Sequence, residues 1–105
     1  MENSFFVSCA NELGEIVMKE RTPKAARQYL GWIRHLGPSI YKPSTEVFET
    51  ALDLAILDME NAGLPPNERV VNYRFLGELA ARYGFDRHSQ GLVEKIYHHQ
   101  SYMGT

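Results

Sequence analysis

The sequence predicts an all-α protein, a compact bundle of five helices around a central buried helix at residues 44–62. Three observations carry this reading. Apolar residues recur at helical spacing in five segments, each bounded by capping or helix-breaking residues. No alternating apolar and polar pattern of useful strand length occurs. The third segment, STEVFETALDLAILDMENAGLPP, is apolar around more than half of its circumference. At 100° per residue, Val47, Phe48, Ala51, Leu52, Leu54, Ala55, Ile56, Met59 and Ala62 fill an arc of about 200°, roughly twice what a surface helix needs.

The first helix is expected over 4–20. Phe5, Phe6, Cys9, Ala10, Leu13, Ile16 and Val17 share one face, taken as the inward one, and Ser8, Glu12, Glu15 and Lys19 the other. Gly14 weakens its middle and permits a close helix approach. Thr22-Pro23 opens the second helix as N-cap and N1. Ala26, Tyr29, Leu30, Trp32, Ile33 and Leu36 form its apolar face, and Gly37-Pro38 ends it.

Ser44 caps the third helix, with Glu46 and Glu49 near the positive end of its dipole. Gly63 and Pro65-Pro66 terminate it. Asp58 falls near the edge of the apolar arc, where a carboxylate calls for a partner such as an arginine from another helix. A fourth helix is expected at about 68–83, with Tyr73, Phe75, Leu76, Leu79, Ala80 and Tyr83 on one face. Val70 and Val71 lie off that face, which leaves Asn72 as an alternative start. Gly84-Phe85 closes it. Asp86 or Ser89 opens the last helix, with Leu92, Val93, Ile96 and Tyr97 inward, fraying after His99 into a disordered end at about 101–105.

A length of 105 residues with 44% hydrophobic residues implies a single helical domain, 1–105. No apolar run has the length of a membrane span, and the N-terminus lacks the features of a signal peptide. The single cysteine, Cys9, suits a reducing cytosol and reads as a small core residue, so a cytoplasmic location is expected. The net charge of −2 gives no overall attraction to nucleic acid or anionic lipid.

Charge is segregated along the chain. Residues 19–42 carry six basic residues against one acid, a net of +5, and residues 44–62 carry five acids and no base. One explanation is two neighbouring helices whose charged faces neutralise each other. The other makes Lys24, Arg27, Gly31, Arg34 and His35 a protein-binding surface, with Tyr29, Trp32 and Tyr41 nearby.

Residues 76–97 resemble a helix-turn-helix. Ala80, Gly84, Phe85 and Val93 match the motif's alanine, turn glycine and apolar positions. Gln90 stands where the motif has an apolar anchor, and Gly91 follows it inside the second helix. The resemblance implies that Arg87, His88, Gln90 and Lys95 face DNA. Two packed core helices joined at a glycine cap account for the same residues.

No phosphate loop, nucleophile elbow or zinc spacing is present. Glu94 and His98, four apart, could chelate a metal but fit a solvated pair as well. No cofactor and no metal are expected. The expectation is therefore a small non-enzymatic helical protein that binds another protein as an adaptor, inhibitor, immunity-type or regulatory factor. Self-association as a homodimer and DNA binding through 76–97 are the further expectations.

Overall fold

Five α-helices and no strand make up the described residues of the computed structural model. These are residues 2–103, with side chains described for 3–98. The helices are α1 Glu2–Glu20, α2 Pro23–Leu36, α3 Thr45–Asn61, α4 Pro66–Arg82 and α5 Asp86–Met103. The fold is all-α. None of these helices is long and apolar enough to cross a membrane. The chain divides into two compact units, residues 1–58 and 59–105.

Local chemistry sets the helix ends. Thr22 Oγ1 accepts from the Ala25 N–H at 3.2 Å, and Ser44 Oγ accepts from the Val47 N–H at 3.2 Å, so each hydroxyl satisfies a donor that its helix cannot. Gly63 and Gly84 take φ of 69° and 83°, the left-handed region that glycine enters without a Cβ clash. At Gly84 the Phe85 N–H donates to the Ala80 carbonyl at 2.8 Å and the Gly84 N–H to Ala81 at 3.1 Å, a Schellman closure of α4. α1 closes without a glycine: Arg21 itself adopts φ 52°, its N–H donating to Val17 O at 2.9 Å.

In the first unit the core is Ala10 and Val17 of α1, Ala25, Ala26, Tyr29, Leu30 and Ile33 of α2, Tyr41, and Phe48, Ala51, Leu52 and Ala55 of α3. Gly14 lies where α1 meets both other helices. A Cβ there would come within 3.2 Å of Val47 Cγ1 and 3.3 Å of Tyr29 Cε1, so the close approach expected at this glycine is present. The buried stripe of α3 continues to Met59, with Val47, Leu54 and Ile56 half-buried and Ala62 exposed.

Four expectations need correction. Phe5, Phe6 and Ile16 of α1 were expected inward and are exposed, because among its described residues α1 is fully buried only at Ala10, Gly14 and Val17. Val93 and Tyr97 of α5 are exposed for a related reason: among the described side chains of that helix, Leu92 alone is fully buried. α4 starts at Pro66 and not at 68 or Asn72, so Val70 and Val71 both belong to it, with Val71 exposed. α5 runs to Met103, beyond His99; the expected disordered end falls on 101–105, of which 104 and 105 lie outside the described residues.

In the second unit, Tyr73, Leu76, Leu79 and Ala80 of α4 are buried together with Met59 and with Leu92 of α5. Gly77 faces α5, where an added Cβ would stand in ordinary contact with Leu92 Cβ at 3.5 Å.

Candidate functional site

The first helix pair leaves an apolar groove open. Asn3 and Phe6 of α1, Trp32, His35 and Leu36 of α2, and Ile40 just beyond line a cleft of about 410 Å³. Trp32 is anchored across it, its indole Nε1 donating to the Phe6 carbonyl oxygen at 2.9 Å, with the Phe6 and Trp32 rings 5.9 Å apart. The Phe5 ring meets Phe6 edge-on at 5.5 Å and carries the apolar surface outward. Phe5 is 64% exposed, Phe6 40% and Ile40 41%. Among the described residues His35 is the one titratable side chain in this lining.

The five residues expected to bind protein lie within one arc of about 100° on the outward side of α2. Arg27 pairs with Asp58 of α3, the arginine partner that the arc-edge carboxylate called for. Arg34 stands seven residues on, two turns along the same side of α2. Lys24 and Gly31 fall at the solvent apex of α2, and a Cβ on Gly31 would meet nothing within 4 Å. His35 alone of the five lines the groove. Phe6, Leu36 and Ile40 were not among the expected binding residues. For Phe6 the signal that could have found it was the width of the apolar arc of α1. Tyr29 and Tyr41, near the basic stretch, are core residues whose hydroxyls bond at 2.8 Å, and burial raises the Tyr41 phenol above its ordinary value.

Residues 76–97 form the second helix pair. The cleft between α4 and α5 is lined by Tyr73, Gly77 and Ala81 of one helix and Ser89, Val93 and Tyr97 of the other; Gly77 stands against Leu92, and Lys95 lies by the Tyr73 ring, so the helices run antiparallel along several turns. Arg87 and Gln90 are exposed, and His88 is half-buried with its ring edge-on to Phe85 at 6.2 Å. Lys95 is engaged: its Nζ donates to Glu60 Oε2 at 2.8 Å and stands 5.6 Å from the centre of the Tyr73 ring.

Glu60 is the polar centre of this unit. The Tyr73 hydroxyl donates to the same Oε2 at 2.6 Å, and Arg69 Nη2 donates to the Glu60 carbonyl at 3.1 Å near the end of α3. The hydrogen bonds from Lys95 and Tyr73 hold the Glu60 carboxyl below its ordinary range. Burial first, and the bond to Glu60 second, push the Tyr73 phenol up to about 12. Among the described residues no group of three or more histidine, cysteine or acidic side chains is placed to hold a metal.

No known family model, characterised protein or solved structure matches the chain.

Proposed function

We propose that this chain is a small non-catalytic helical protein that binds another protein through the groove between α1 and α2. One observation carries the reading. Phe5, Phe6 and Ile40 remain exposed beside half-buried Trp32 and Leu36, giving continuous apolar surface shared by two elements. Scattered exposed apolar residues need no explanation, but a contiguous patch with a concave centre marks an interaction site. Phenylalanine and tryptophan bring large contact area with few rotatable bonds, and buried aromatics dominate interface energetics. An adaptor, inhibitor, immunity-type or regulatory role in the cytosol fits such a surface, and the single thiol of Cys9 suits that compartment.

A displayed random-peptide library tests the reading. Selection on the intact chain should yield binders that shift the emission of Trp32, the one tryptophan present, and that are lost on Ile40→Asp with the helical spectrum unchanged. A library that yields no binder, or binders silent at Trp32 and indifferent to Ile40→Asp, would contradict it.

A further inference from the structure

We infer that the partner presents an amphipathic helix with basic residues along one flank, laid lengthwise on α1 with one end in the Phe6–Trp32 groove. This rests on the reading that the groove binds protein. Phe6, Cys9, Leu13 and Ile16 follow one another at spacings of three, four and three, the a and d rhythm of a helix-pairing seam. At 100° per residue they fall within an arc of about 80°, and Phe5 extends it by about 20°. The stripe packed inside the protein, Ala10, Gly14 and Val17, lies beside this seam and does not coincide with it. α1 thus carries two adjoining apolar stripes, one buried and one partly open. Phe6 and Ile16 are exposed and Cys9 and Leu13 half-buried. The seam runs over residues 6–16, ten rises or about 15 Å, so a partner helix of about three turns covers it.

Charge selects the partner. The outer flank of the seam carries Ser8, Glu12 and Glu15, all exposed, with Lys19 beyond them at the end of α1. A lysine or arginine on the partner's facing flank meets Glu12 and Glu15, whereas an acidic flank meets like charge. The same argument disfavours a second copy of this chain. An antiparallel pair that sets Phe6 against Ile16 of the copy, and Cys9 against Leu13, brings Glu12 beside its own equivalent near the twofold axis.

Two fluorescent three-heptad probe peptides decide the matter, both with leucine at a and d, one with lysine at e and g and the other with glutamate. The lysine probe should bind, change Trp32 emission and bind roughly tenfold tighter than the glutamate probe, two exposed ion pairs being made in one case and two like-charge contacts in the other. Glu12→Lys with Glu15→Lys should reverse the preference. Glu68→Lys with Glu94→Lys, the same change of net charge on α4 and α5, should leave it unchanged. A preference that Glu12→Lys with Glu15→Lys does not move, or binding of neither probe, overturns the inference. So does sedimentation showing a dimer that Ile16→Asp dissociates, which would make a second copy the occupant. Library peptides that engage Trp32 while neither probe binds would leave the groove reading standing and remove only the basic helix.

Discussion

Trp32 of α2 donates its indole N–H to the main-chain oxygen of Phe6 on α1, 2.9 Å away, and the same two residues wall the open groove. The hydrogen bond fixes the indole while its ring stays half-exposed. Trp32→Phe keeps an aromatic wall and removes the donor. It should cost about 1 kcal/mol, the usual net value of one hydrogen bond. Denaturant unfolding measures the loss, and amide exchange should quicken first in the N-terminal half of α1.

The Glu60–Tyr73 pair makes stability depend on pH at both extremes. The Glu60 carboxyl is depressed, so its contribution is present above the ordinary carboxylate value and lost as pH falls through the folded value. The Tyr73 phenol is raised, so its contribution is whole below pH 10.0 and lost as pH rises through about 12. Tyr73→Phe should cost about 1.5 kcal/mol near neutrality, a hydrogen bond to a charged group being worth more than a neutral one. The gap between wild type and variant should close at both ends of a melting-temperature series. A gap constant from acid to alkali would refute the assignment.

Two glycines should respond in opposite directions. Gly91, exposed in α5, has nothing within 4 Å of a Cβ, so Gly91→Ala should stabilise by about 0.5–1 kcal/mol through helix propensity. Gly14 is enclosed by Val47 and Tyr29, and Gly14→Leu should destabilise by about 2 kcal/mol or more through overpacking. Urea midpoints of the two variants on opposite sides of wild type would bear this out.

Arg27 and Asp58 are respectively 59% and 38% exposed, so the pair is screened by solvent. Arg27→Ala should cost no more than about 1 kcal/mol, and Arg27→Glu somewhat more, because two carboxylates then adjoin. A double-mutant cycle with Asp58→Ala isolates the coupling. Zero coupling energy would mean that Arg27 is available for a partner after all.

What was legible in the sequence was the chemistry that acts over a few residues. Thr22, Ser44, Gly63 and Gly84 cap the helices as their types and positions imply, and the tight crossing at Gly14 was signalled by a glycine inside a helix. The arginine partner of Asp58 followed from a carboxylate at the edge of an apolar arc. The periodicity of α1 gave a face but not which half of it the neighbours cover, since that depends on where α2 and α3 lie. Phe5, Phe6 and Ile16 were therefore misplaced inward and the groove was missed. The grouping of Glu60, Tyr73 and Lys95 joins residues up to 35 positions apart, and no local pattern announces it.

Amide chemical-shift mapping with a library-selected peptide tests the groove most directly. Perturbations gathered on residues 5–16 and 32–40, with α4 and α5 unmoved, are the expected result. Perturbations centred on residues 87–95, or none at saturating peptide, would contradict it.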